Sequence, residues 1–275
     1  MIESRQLFKK ALRYLEEKNI EAPRLSCELI FSDALQIDRL ALYTTPSLSL
    51  ESKTADLIWG RVERRARGEP VAYILGYSLF YGEKFYISPA VLIPRPETEF
   101  VVESAMELLP RLTGPILDIG TGSGVIAVTM AQAYPNLSFY GTDICSKALQ
   151  IAEKNKKKLK NLFFYQDDLL NKPPCDFFEL MIANLPYLPS EIIPQLSPEI
   201  QFEPRIALDG GEDGLKLIRK FIPQAKNRCR YLILEIGDGQ FLQVKQLLVD
   251  HGFSVIQVKK DLSQMERVVI GKYRG

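Results

Sequence analysis

The sequence predicts an α/β protein, in which a mostly parallel seven-stranded sheet with helices on both faces follows a small all-helical N-terminal domain and a β-hairpin linker. Two observations carry this. Up to about residue 75 the apolar residues recur only at helical spacing, and from Pro115 onward short apolar strand-like runs alternate with helical ones. The expected divisions are residues 1–75 for the bundle, 76–93 for the hairpin and 94–275 for the sheet domain.

In the bundle, Leu7, Phe8, Ala11, Leu12 and Leu15 line one side of a first helix, and Leu25, Leu29 and Ile30 begin a second behind Pro23. A third run, 52–67, carries Ala55, Ile58, Trp59 and Val62 on one face and Glu63, Arg64 and Arg67 on the other. No strand signal interrupts these helices. Residues 73–93 are rich in aromatic and β-branched side chains, with Gly82 between two strand-like runs, which reads as a hairpin. Strands are then expected at 116–119, 137–142, 162–165, 178–183, 231–236, 253–258 and 268–271, with helices at 125–134 and 146–159.

Composition narrows the function. At 46% hydrophobic and 25% charged residues, the 275-residue chain is globular in character. The net charge of +1 divides evenly, with 12 basic and 11 acidic residues up to Leu75 and 23 of each beyond it. No excess of the kind a dedicated nucleic-acid binder carries is present. The one basic run, 154–160, lies at an expected helix C-terminus, where lysines oppose the helix dipole. His251 is the only histidine, so multi-histidine metal sites are excluded and Ser-His-Asp or Cys-His mechanisms are disfavoured. The four cysteines form no C-x-x-C pair, which points to isolated reduced thiols in the cytoplasm and to no metal site. The chain opens without the apolar core of a signal peptide. Residues 119–142 run 24 residues without a charge, but four glycines and Pro135 break them into loop, helix, turn and strand, so no membrane span is expected.

Two constellations carry chemistry. In 116–124, ILDIGTGSG, a strand ends near Asp118 and Gly120, Gly122 and Gly124 alternate before a helix. Glycines there allow a tight turn and close ligand approach, and the helix start offers free N–H groups. Asp143, ending the next strand, stands where a ribose-binding carboxylate is expected. The second constellation, Asn184-Leu185-Pro186-Tyr187, directly follows a strand, at the edge where open α/β sheets bind ligands. The Asn184 side-chain oxygen and the Leu185 carbonyl form two acceptors suited to one NH2 group, and Pro186 holds Leu185 extended. Gripping both hydrogens of an amide or exocyclic amine orients its lone pair and stabilises positive charge developing on nitrogen.

The segments IPRPETE (93–99), LDIGTGSG (117–124), NLPY (184–187), FEPRIALDGGEDGL (202–215) and DLSQMERVVIG (261–271) occur in this order and at these spacings. Together they resemble the release-factor glutamine methyltransferases of the HemK/PrmC family, over the chain from residue 64 to its end. The resemblance implies a Rossmann-like class I methyltransferase using S-adenosylmethionine. Its substrate would be the glutamine amide in the Gly-Gly-Gln loop of peptide-chain release factors, and it would modulate translation termination. Carried over residue by residue, Gly120, Thr121, Gly122, Ser123 and Gly124 would line the methionine moiety, Asp143 would take the ribose hydroxyls, and Asp168 and Leu169 would meet the adenine. Asn184, Leu185, Pro186 and Tyr187 would hold the glutamine beside the cofactor, with Tyr187 packed on the flat amide. Arg95 and Glu97 are further substrate-binding candidates; their other reading, with Glu99, is a helix start favoured by carboxylates. The family's tetrapeptide is Asn-Pro-Pro-Tyr, so Leu185 keeps the carbonyl and loses a ring-fixed φ. The N-terminal helices fit that family's substrate-recognition bundle. A monomer is expected, with no nucleic-acid partner. Rival readings are an adenine N6-methyltransferase on nucleic acid, a cofactor-binding module without catalysis and, more distantly, an NAD-dependent oxidoreductase.

Overall fold

A computed structural model describes residues 2–275. The chain forms two compact units: Met1–Tyr77 with Ser197–Phe202, and Ser78–Leu196 with Glu203–Gly275.

The first unit contains β1 (Ile2–Glu3), α1 (Ser4–Glu17), α2 (Pro23–Leu35), α3 (Ala41–Thr44), β2 (Ser49–Leu50), α4 (Ser52–Ala66) and α5 (Val71–Leu75). Of the apolar stripe read from the periodicity, Leu7, Ala11, Leu15, Ile30, Ala55, Ile58 and Val62 are buried together, joined by Phe31, whereas Leu25 is exposed. One expectation fails here. The unit is not purely helical, because Ile2–Glu3 pairs antiparallel with Ser49–Leu50, and two residues are too few to show a period in sequence. The segment Ser197–Phe202 belongs to this unit as well; Glu199 forms an ion pair with the buried Arg65.

In the second unit, β3 (Tyr77–Phe80) and β4 (Glu83–Tyr86) form the hairpin around Gly82, whose φ of 77° suits a tight turn. There follow α6 (Glu99–Leu108), β5 (Ile116–Ile119), α7 (Val125–Ala133), β6 (Phe139–Asp143), α8 (Ser146–Lys156), β7 (Leu162–Gln166), β8 (Phe178–Ala183), α9 (Lys216–Ala225), β9 (Cys229–Glu235), α10 (Phe241–Asp250), β10 (Phe253–Lys260) and β11 (Glu266–Tyr273). Seven strands make one sheet in the order β10-β11-β9-β8-β5-β6-β7, all running in one direction except β11, which is antiparallel to both of its neighbours.

Alternation along the strands separates two cores. Ile116, Phe139, Ile233 and Ile270 pack with Val101, Val102, Val128 and Met130 of α6 and α7. Leu117, Ile119, Leu232, Leu234 and Val269 pack with Ile218, Phe221, Val244 and Leu248 of α9 and α10. The last two strands run longer than their apolar stretches, because antiparallel pairing continues through charged positions such as Lys260 opposite Glu266. Helix α8 stops three residues earlier than expected, where Lys157 turns to φ 54°. His251 caps the C-terminus of α10, its Nδ1 lying 2.8 Å from the Leu247 carbonyl.

Candidate functional site

Register brings three chain reversals to one edge of the sheet. Ile119 pairs with Thr142 of β6 and with Ala183 of β8, so Gly120 and Asn184 leave the sheet on either side of one another next to Asp143, the last residue of β6. This is the carboxyl edge, where parallel α/β sheets take ligands. A cavity of about 210 Å³ opens there, walled by residues 120–123, Asp143, Asp168, Leu169, Asn184, Leu185, Pro186 and Arg95.

The glycine turn is held from below. Gly122 N–H donates to Asp143 Oδ2 at 2.9 Å and Cys145 N–H to Asp143 Oδ1 at 2.8 Å. Each carboxylate oxygen keeps a lone pair, since an ionised carboxylate accepts about four hydrogen bonds. Burial raises the Asp143 pKa, and these two backbone donors oppose the rise. Beneath the turn, Asp118 is fully buried; Oδ2 accepts from the Thr121 hydroxyl at 2.6 Å and Oδ1 has no partner. Burial pushes this carboxyl up to about 7, against the hydrogen bonds from Thr121 and the Ala127 backbone. On another wall, Asp168 pairs with Lys220 at 2.7 Å.

In the tetrapeptide, Asn184 Nδ2 donates to the Thr98 hydroxyl at 3.1 Å, which leaves Oδ1 as the free end of the carboxamide. Leu185 is buried, and its Cδ2 would lie 3.3 Å from a Cβ on Gly120. Packing against the glycine turn therefore restrains the position that a proline ring restrains in the family's usual tetrapeptide. Its carbonyl accepts no backbone hydrogen bond among the described residues. The Tyr187 carbonyl accepts from Gln240 Nε2 at 2.9 Å, and Gln240 Oε1 accepts from Gly237 N–H at 2.8 Å, tying the loop to the end of β9.

Three candidates stand outside the cavity wall. Gly124, at φ 81°, caps α7 and packs on Ala152, which a Cβ would approach to 3.1 Å. The Tyr187 ring lies against Gly237 and its hydroxyl donates to Glu235 Oε1 at 3.3 Å. Glu97 sits in the 3-10 turn Pro96–Thr98 that leads into α6. Arg95 does reach the wall, held by an ion pair with Glu203, which is only 6% exposed and also accepts from Ile93 N–H at 3.1 Å.

Residues 6–76 match the PrmC N-terminal domain family and residues 113–257 a methyltransferase domain family. A release factor glutamine methyltransferase from Koribacter versatilis is 37% identical over 275 residues, 98% of each chain. Another, from Thermodesulfovibrio yellowstonii, is 38% identical over 259 residues, 91% of each. The chain belongs to the release factor glutamine methyltransferases. Among solved structures, the hMettl16 catalytic domain in complex with MAT2A 3'UTR hairpin 1 superposes with a TM-score of 0.57 at 15% identity, over 95% of this chain and 91% of that one, a likeness of fold.

The residues present fit S-adenosylmethionine, the cofactor of this family. The left-handed glycines at 120 and 122 bring bare backbone to the cavity wall, and Asp143, on the same wall, retains acceptor capacity at the end of β6. A hydroxyl-bearing ligand in the cavity meets that capacity. Several residues of the site went unmarked in the sequence: Thr98, Asp118, Glu235 and Gln240. Asp118 had a signal, a carboxylate within an apolar strand. Thr98 had none, because its partner Asn184 is 86 positions away.

Proposed function

We propose that the protein transfers a methyl group from S-adenosylmethionine to the side-chain amide nitrogen of the glutamine in the Gly-Gly-Gln motif of peptide-chain release factors. The observation that carries this is the shared cavity: the glycine turn after β5 and the acceptor pair after β8 open on the same space. When bound, S-adenosylmethionine supplies a methyl group on a positively charged sulfur. The chain's own residues do the rest. Residues 120–123 and Asp143 hold the cofactor, with Asp168 and Leu169 at its adenine end. Asn184 Oδ1 and the Leu185 carbonyl accept the two amide hydrogens, which fixes the nitrogen lone pair and favours the charge that develops as the new bond forms. No side chain need deprotonate the amide beforehand, in keeping with a site whose wall contains no histidine.

The helical unit is the part proposed to take the protein partner. The enzyme is proposed to act as a cytoplasmic monomer without nucleic acid, supported by the even charge balance. No helix among the described residues is long and apolar enough to cross a membrane. The test is incubation with labelled S-adenosylmethionine, a release factor and the same factor with its Gly-Gly-Gln glutamine replaced. Label is expected on the first only; equal label on both overturns the substrate assignment, and salt-sensitive label on nucleic acid restores the adenine reading.

A further inference from the structure

Behind Asn184 runs a polar chain with no part in the chemistry so far. Asn184 Nδ2 donates to Thr98 Oγ1 at 3.1 Å, and Thr98 is only 3% exposed. The Thr98 hydroxyl in turn interacts with the carboxyl of Glu235, at the end of β9, as does the Tyr187 hydroxyl. Glu235 is 1% exposed, and its Oε2 has no partner at full hydrogen-bond geometry. A carboxylate sunk in a core without an ion pair among the described residues, and with Arg267 acting on it only through charge, is costly and calls for a reason.

We propose that Thr98, backed by Glu235, is a positioning residue that sets which way round the Asn184 carboxamide sits, turning its oxygen and not its NH2 to the cavity. This rests on the reading of Asn184 as the group that grips the substrate amide. The two ends of a carboxamide are nearly the same size, so shape alone does not choose between them; hydrogen-bond partners do. Once ionised, on the alkaline side of its raised titration, the Glu235 carboxylate only accepts, so it draws the single Thr98 proton to itself, and the test is run at pH 8. What Thr98 then offers Asn184 is a lone pair, and only the NH2 end meets a lone pair favourably. The flipped carboxamide would set oxygen against oxygen at Thr98 and present NH2 to an incoming NH2, so that neither contact is a hydrogen bond. Glu235 thus acts three groups away from the amide, by orienting the first link. The geometry also accounts for the tyrosine that ends the tetrapeptide, whose hydroxyl helps hold the carboxyl that orients Thr98.

The test measures methyl transfer to the release factor, affinity for S-adenosylmethionine and melting temperature in the full-length wild type, Thr98→Val, Thr98→Ser and Glu235→Gln. Thr98→Val keeps the shape and removes the lone pair. It is expected to lower kcat roughly ten- to hundredfold, the scale of one lost hydrogen bond that tightens in the transition state, with KM and cofactor affinity within about threefold of wild type. Thr98→Ser restores the hydroxyl and is expected to restore most of kcat, whereas a residue needed only for packing would miss the methyl more than the hydroxyl. Glu235→Gln, which adds a donor facing the same hydroxyl, is expected to lose at least severalfold in kcat and serves alone if Thr98→Val fails to fold. Wild-type kcat in the Thr98→Val and Glu235→Gln variants, or an equal loss in Thr98→Ser and Thr98→Val, overturns the inference alone. An inactive wild type overturns the functional reading and the inference together.

Discussion

Asn155 has no catalytic chemistry, yet its replacement is expected to reach the cofactor. It lies in α8, 2% exposed, and makes three hydrogen bonds: Oδ1 accepts from Tyr86 N–H at 2.8 Å, and Nδ2 donates to the Tyr86 carbonyl at 2.9 Å and to the Ser123 carbonyl at 2.9 Å. One side chain thereby joins the hairpin strand β4, helix α8 and the glycine turn. Asn155→Leu fills nearly the same space and removes all three. Each bond is worth about 1 kcal/mol net, and the Ser123 carbonyl, left in the interior, adds roughly 1–2 kcal/mol more. The sum is about 4 kcal/mol. For a folded unit of this size, each kcal/mol lowers the melting temperature by roughly 2–4 °C, so a fall of about 10 °C is expected. Calorimetry reads this directly. Because Ser123 stands in the cavity wall, the turn it anchors is expected to lose cofactor affinity, about tenfold by titration calorimetry with S-adenosylmethionine. A melting temperature within 2 °C of wild type and unchanged cofactor affinity would refute the idea that this side chain holds the turn in place.

Two further expectations concern stability. Burial pushes the Glu235 carboxyl from its ordinary 4.5 to about 7, so the folded state binds a proton that the unfolded state has released between those values. Stability is therefore expected to fall as pH rises from about 4.5 to about 7, by up to roughly 3 kcal/mol from this group, and Asp118 acts in the same direction. Glu235→Gln should flatten the curve in denaturant melts at pH 5 and pH 8, and an unchanged slope would contradict the burial argument. Gly214 has φ 78°, and a Cβ there would stand 2.1 Å from the Tyr187 carbonyl oxygen and 2.5 Å from Gln240 Nε2. Gly214→Ala is expected to cost about 2–5 kcal/mol and to displace the loop after Asn184, so turnover should fall with the melting temperature; a variant with wild-type values in both would show that the loop yields more easily than this packing implies.

Much of the fold was legible because its signals are local. The strands at Ile116–Ile119 and Phe178–Ala183 coincide with their apolar runs, since parallel strands buried on both faces are apolar throughout. The glycine turn announced itself through three left-handed glycines before a helix, and Asp143 by its place at the end of the next strand. Legibility stopped where a residue's role depends on a distant partner. Tyr187 reads as part of the substrate tetrapeptide by adjacency, but its hydroxyl goes to Glu235, 48 positions on. Glu203 and Arg205, two residues apart in the segment 202–215, are not told apart by sequence. One holds Arg95 from a buried position, while the other is an exposed partner of Asp209.

The sequence by itself determined the strands of the large sheet, the two constellations and the family, because periodicity, turn chemistry and motif spacing are written in neighbouring residues. The tertiary structure alone decided which end of Asn184 is free, what keeps Leu185 in place without a proline ring, and why carboxyls at positions 118 and 235 are tolerated inside the core. Those depend on directional hydrogen bonds and close packing between segments up to 86 positions apart, and such contacts leave no pattern along the chain.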